Sequence, residues 1–162
     1  MIKEIKKNNW TRFAKKFNTE NQYRYAQVCV FSQDKQESEL LNETPFLGIN
    51  ICKNGRSYES VEFYTGRPDP DFINVPLVAV KQPVGMKVEY NNDGQAQYLC
   101  VISEDGSSAT VSLNGERFEL CQQYKEQVAY FISERHGFTP GNHVNDWLEA
   151  ERRIKELEKI LV

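Results

Sequence analysis

Residues 137–142, Gly-Phe-Thr-Pro-Gly-Asn, cut one apolar pattern into two and turn its halves back on each other. Before the cut, Leu120, Cys121, Tyr124, Val128, Phe131, Ile132 and Arg135 recur at three- and four-residue steps. That spacing puts the apolar members on one face of a helix. Gly137 follows the last periodic residue and can take the left-handed conformation that closes a helix, with Phe138 packing back on the final turn. Pro140 and Gly141 bar continuation, and Asn142 is placed to cap the next helix with its side chain. In that helix Val144, Trp147, Leu148, Ile154, Leu157 and Leu161 share a stripe, while Glu149, Arg152, Arg153, Glu156 and Lys159 face water. The pair is a helical hairpin.

Its apolar surface is wider than one seam. Val144, Leu148, Ala150 and Ile160 broaden the face of the second helix, and a broad face needs either a sheet or another subunit over it. The sheet is the expected cover, and a two-fold dimer is the alternative. Trp147, Ile154, Leu157 and Leu161 are therefore candidate interaction residues, toward a second copy of the chain or another protein.

Upstream of the hairpin the punctuation is that of a sheet. Asn54-Gly55, Asp93-Gly94, Asp105-Gly106 and Asn114-Gly115 separate short β-branched and aromatic runs. The runs lie at 23–31, 46–52, 58–65, 73–80, 86–90, 96–103 and 108–113. Residues 23–31 and 96–103 are apolar on both parities, as in strands covered on both faces. Residues 32–42 are polar and charged and read as a connection. Ahead of the first run, Asn8 or Asn9 caps a helix whose Trp10, Phe13, Ala14 and Phe17 face inward. The fold class is α+β: an antiparallel curled sheet or partly open barrel of six to seven strands, with an N-terminal helix and a C-terminal helical hairpin. Residues 1–115 make the first unit. Residues 116–162 make the hairpin, expected to pack on the sheet.

Two resemblances rest on these residues. The run 124–154 carries His136-Gly137 at the turn and Asp146-Trp147-Leu148-Glu149-Ala150-Glu151 opening the second helix. In this it resembles a bacterial domain-of-unknown-function family, family 2934. Residues 1–113, through Trp10, Phe13, Phe17 and the Glu104-Asp105-Gly106-Ser107 turn, loosely resemble a second uncharacterised bacterial family, family 5335. Both resemblances imply a fold and neither implies a chemistry.

The chain argues against most chemistry. It has two histidines, His136 and His143, seven apart across Pro140, which is outside the spacing of a paired zinc motif. It has no nucleophile elbow and no phosphate-binding glycine loop. Cys29, Cys52, Cys100 and Cys121 sit singly in apolar runs, as buried free thiols do. No cofactor and no metal is expected. No apolar run approaches the ~20 residues of a membrane span, and no export signal is seen, so the expected location is the cytoplasm.

Two surface features remain. Arg67-Pro68-Asp69-Pro70-Asp71 is a stiff loop whose Arg67, Asp69 and Asp71 could contact a small ligand or a peptide. Residues 1–16 hold six bases against one acid in a chain of net charge −3. Of these, Lys6, Lys7, Arg12, Lys15 and Lys16 are candidate contacts to a polyanion. The sequence thus reads as a non-enzymatic protein-interaction or regulatory module. The alternative is a nucleic-acid-binding protein using the basic N-terminal helix, and a small-molecule-binding domain is third.

Overall fold

The computed structural model describes residues 1–34, 36–66, 75–115 and 118–161, and side chains at all of these except 39–43 and 118–121. Among the described residues, eight antiparallel strands form one sheet in the order β1-β6-β7-β8-β2-β3-β4-β5. They are β1 (Ile2–Glu4), β2 (Tyr25–Phe31), β3 (Glu37–Asn54), β4 (Ser57–Thr65), β5 (Val78–Lys81), β6 (Pro83–Tyr90), β7 (Ala96–Ser103) and β8 (Ser108–Asn114). The helices are α1 (Trp10–Asn21), α2 (Phe118–Arg135) and α3 (His143–Ile160). The class is α+β, and the sheet is curled but not closed into a barrel: β1 pairs only with β6, and β5 only with β4.

Four features depart from the sequence reading. The sheet has eight strands rather than six or seven, because Ile2–Glu4 pairs with Lys87–Glu89 at one edge. Residues 37–42, read as part of the connection 32–42, belong to the first half of β3, which pairs with β2 from Glu37↔Phe31 to Pro45↔Tyr25. Of the run at 73–80, residues 73 and 74 lie outside the described residues, and the strand that follows is Val78–Lys81. The turn after β3 is also displaced by one residue. Asn54 pairs with Ser57, so Gly55 and Arg56 are the central residues, and Gly55 has the positive φ, 63°. Glycine at the first central position marks a type II′ turn, whose twist suits the strands it joins.

β3 gives the sheet its curl. Its 18 residues pair first with β2 and then, from Phe46 on, with β4. The register shifts between Phe46 and Gly48, a bulge that bends the strand and shifts its alternation by one residue, so that Phe46 and Ile49 share a face. Phe46 turns into the inner cluster and Leu47 into the outer one.

The inner cluster joins α1 to the concave face. Trp10, Ala14 and Phe17 bury themselves among Val28, Ile49, Val61, Phe63, Met86, Val88, Leu99, Val101 and Val111. Trp10 is 0 % exposed, its Nε1 donates to Ile5 O at 2.9 Å, and its ring lies 4.7 Å from that of Tyr58. Asn9 occupies the cap position of α1 without a side-chain cap bond, and a 3-10 turn at Lys7–Asn9 leads in instead.

The outer cluster joins the hairpin to the other face. Tyr124, Val128 and Ile132 of α2, with Ala150, Ile154, Leu157 and Leu161 from α3 and its end, pack on Tyr23, Leu47 and Tyr64. The approach is close at Gly66, where a Cβ would stand 2.4 Å from the Tyr124 ring and 2.6 Å from the Pro45 side chain. Any larger residue there would push the hairpin off the sheet.

Cys29, Cys52 and Cys100 are not joined by disulfides, and they are half-buried rather than enclosed. The side chain of Cys121 lies outside the described residues. Among the described residues no helix is long and apolar enough to cross a membrane.

Trp10→Ala removes the largest side chain of the inner cluster. It should cost about 3–5 kcal/mol in urea denaturation, the range for deleting a large core aromatic. An unchanged midpoint would contradict the docking of α1 on the sheet.

Candidate interaction surface on the helical hairpin

The turn end of the hairpin is fixed by backbone bonds and one buried carboxylate. At the end of α2, Phe138 N donates to Ser133 O at 2.8 Å and Gly137 N to Glu134 O at 3.0 Å. Gly137 and Phe138 both have positive φ, 66° and 53°. This is the six-to-one and five-to-two closure expected of a glycine-terminated helix. Phe138 does pack back, with its ring 5.5 Å from that of Tyr130.

Asp146, in the first turn of α3, is 3 % exposed. Ser133 Oγ donates to its Oδ2 at 2.7 Å, and His136 Nδ1 meets its Oδ1 at 2.7 Å. Asn142 Nδ2 donates to the same Oδ1 at 3.1 Å. The Ser133 hydrogen bond, helped by His136, holds the Asp146 carboxyl below the usual aspartate range against the opposing effect of burial. Asn142 stands at the N-cap but makes no side-chain cap bond: its Nδ2 donates to Asp146, and its Oδ1 accepts from Asn145 Nδ2 at 3.3 Å.

Serine, histidine and aspartate together invite comparison with a hydrolytic triad, and the geometry rejects it. In a triad the histidine stands between the acid and the nucleophile. Here the aspartate stands between, and Ser133 Oγ gives its hydrogen to the carboxylate rather than to an imidazole. The arrangement pins the last turn of α2 to the first turn of α3.

Cys52, on β3, is not an activated thiol. Cys52 Sγ lies 3.1 Å from Glu62 Oε1, which also accepts from Asn50 Nδ2 at 3.1 Å and Tyr64 OH at 3.3 Å. Burial first, and then Glu62, raises the Cys52 pKa, so the thiol stays protonated. The same causes push Tyr64 up to about 12.

What this end of the hairpin presents is apolar surface on a fixed frame. Tyr130 is 58 % exposed, Phe138 53 %, Val144 58 % and Leu148 57 %. Tyr130 also meets Phe131 edge-on at 6.1 Å, so three aromatic rings form a ridge at the end of α2. Val144 and Leu148 lie one turn apart at the start of α3, and Trp147 between them is half-buried.

The residues singled out from sequence are dispersed. Ile154, Leu157 and Leu161 are 1 %, 1 % and 5 % exposed inside the outer cluster. The sheet covers that stripe, so these three belong to the interior and not to a partner surface. Val144, Leu148 and Ile160, which widen the face expected to lie under the sheet or a second subunit, are not covered by the sheet and are exposed. Arg67, Asp69 and Asp71 lie outside the described residues. Lys6, Lys7, Arg12, Lys15 and Lys16 are all exposed but do not act as one row. Lys7 Nζ leans over Trp10, Lys16 pairs with Glu20 at 3.8 Å, and Lys15 shares a pocket wall with Glu158. Lys7 instead joins Lys53 and Arg56 around an open groove of about 780 Å³.

Sequence reasoning missed Tyr130, and it missed the bonds between Ser133, His136 and Asp146. The signal for the latter was present as His136-Gly137 and Asp146-Trp147, read as a family likeness rather than as a contact.

Residues 126–156 match a family described as a protein of unknown function (DUF2934). The matched segment runs from within α2 to within α3 and contains every residue of the Asp146 cluster. It covers the hairpin, whose resemblance it bears out, and leaves the sheet outside. No curated protein matches the chain.

The lowered pKa of Asp146 fixes the sign of a pH effect. A carboxyl with a depressed folded pKa adds stability that is complete above its unfolded value of about 3.9 and fades as pH falls toward the folded value. Trp147 fluorescence should therefore show the hairpin loosening on acidification through that range. Asp146→Asn should weaken the hairpin at neutral pH and lose its share of the acid dependence. An acid transition identical in the variant and the wild type would contradict the assignment.

Proposed function

We propose that the chain is a non-enzymatic interaction module that takes a protein partner through the turn end of its helical hairpin. The observation that carries this reading is the exposure of Tyr130, Phe138, Val144 and Leu148 around a turn locked by a buried carboxylate. Exposed apolar groups on loose segments are ordinary, whereas four at one pinned turn are a surface with a set shape. Aromatic anchors of fixed orientation give contact area at little entropic cost, the feature shared by interface hot spots. The opposite stripe of the hairpin is already spent on the sheet, which makes the sheet the scaffold and the turn the business end.

The reading places the protein in the cytoplasm, where the half-buried thiols of Cys52 and Cys100 stay reduced. It assigns no catalytic role to Ser133 and Cys52, which hydrogen-bond to carboxylates rather than to a base.

Site-specific photo-crosslinking in the producing cell tests it. A benzophenone amino acid at Tyr130 should give one discrete protein adduct, lost on adding Leu148→Glu. The same probe at exposed Tyr98, on the sheet, serves as the control. An adduct of twice the chain mass would identify a second copy as the partner. No adduct above the Tyr98 control would overturn the proposal.

A further inference from the structure

We infer that the pocket around Arg24 is a binding site for a small oxyanion, a carboxylate or a phosphate group. Arg24 follows α1 and is 6 % exposed, a buried cation. Its Nε donates to Gly115 O at 3.0 Å, and its Nη1 donates to Asn21 Oδ1 at 2.8 Å and Ala96 O at 2.7 Å. A guanidinium has five N–H donors. Three are spent on neutral acceptors, and the two on Nη2 have no partner among the described residues.

No carboxylate among the described residues forms an ion pair with Arg24. Enclosing a cation without a counter-charge is costly. The strain registers as a pKa lowered by burial. Carbonyl dipoles hold the guanidinium in place but do not cancel its charge. An oxyanion supplies both the missing charge and two acceptors for Nη2, and a charge-assisted bond of this kind is stronger than a neutral one.

There is room for it. Arg24 lines an open pocket of about 330 Å³ with Asn21, Gly94, Gln95, Ala96 and Gly115. Among the described residues the one acid on the wall is Glu20, whose carboxylate lies 3.8 Å from Lys16 Nζ. Glu20 repels an anion, which makes its removal diagnostic. The site lies at the end of α1 and the β6–β7 turn, on residues other than those of the hairpin surface, so the two proposals stand or fall separately.

Nuclear magnetic resonance titration tests it, with inorganic phosphate and acetate in separate arms at an ionic strength held constant with chloride. The reporters are Arg24 Nε–H and the amides of Gly94, Gln95 and Gly115. We expect saturable shifts with at least one anion, and the two arms tell phosphate from carboxylate. Glu20→Gln should tighten binding several-fold, and Arg24→Gln should abolish it. If Arg24→Gln does not fold, Glu20→Gln decides alone. Shifts that fail to saturate in both wild type and Glu20→Gln would overturn the site, as would binding that survives Arg24→Gln or weakens in Glu20→Gln.

Discussion

One buried side-chain amide joins the layers of this protein. Asn18, on α1, accepts from Ile49 N at 2.8 Å and donates to Ile49 O at 2.8 Å and Leu161 O at 3.0 Å. Its position answers a defect in the sheet. β2 accompanies β3 only as far as Pro45, and beyond that point the edge of β3 turned away from β4 has no neighbouring strand among the described residues. A buried backbone donor and acceptor left unpaired there would each forfeit about 1–3 kcal/mol. Asn18 offers Ile49 the same donor and acceptor pair that a strand would. Gln22 continues the substitution, donating to Leu47 O at 3.3 Å, and Tyr23 N donates to Phe46 O at 2.6 Å. The helix thus completes the sheet as well as filling its concavity.

The third bond of Asn18 reaches the last turn of the hairpin, which is how α3 is held at its far end. Tyr23 OH donates to Glu158 beside it. The fit tolerates no extra atoms: a Cβ on Gly48 would stand 2.9 Å from Asn18 Cγ, and one on Gly66 would strike Tyr124. The hairpin is therefore anchored at one end by Asn18, along its length by Leu47, Tyr64 and Tyr124, and left projecting at its turn. Rigidity at the turn then has to be supplied locally, and Asp146 supplies it by holding α2 and α3 together through Ser133 and His136. An exposed aromatic ridge on such a frame keeps its shape between encounters, the property a preorganised interface needs.

Local pattern carried the helices and the tight turns into view. The three- and four-residue spacing of Tyr124, Val128 and Ile132 was enough to name a buried face, and Gly137 was enough to end the helix. Periodicity was weaker on the width of a face: Val144, Leu148 and Ile160 sit beside the covered stripe and are wet, because the sheet is narrower than the apolar arc. The first half of β3 escaped notice for a related reason. Glu37, Ser38 and Glu39 look like a loop, yet their backbones complete the pairing of Phe31, Val30 and Cys29, and backbone pairing asks little of side-chain type. The contacts that organise the molecule were not legible at all. Asn18 meets a residue 31 positions away and another 143 away, and no local window spans either distance.

If Asn18 clamps hairpin and sheet into one folding unit, both must open together. Native-state hydrogen exchange in rising denaturant measures this directly. The amides of Val128 and Ile154 in the hairpin should merge onto the same global opening as those of Val101 and Val111 in the sheet, with one free energy and one denaturant slope. Hairpin amides exchanging through a separate opening of clearly lower free energy and smaller slope, while the sheet stays protected, would contradict the clamp.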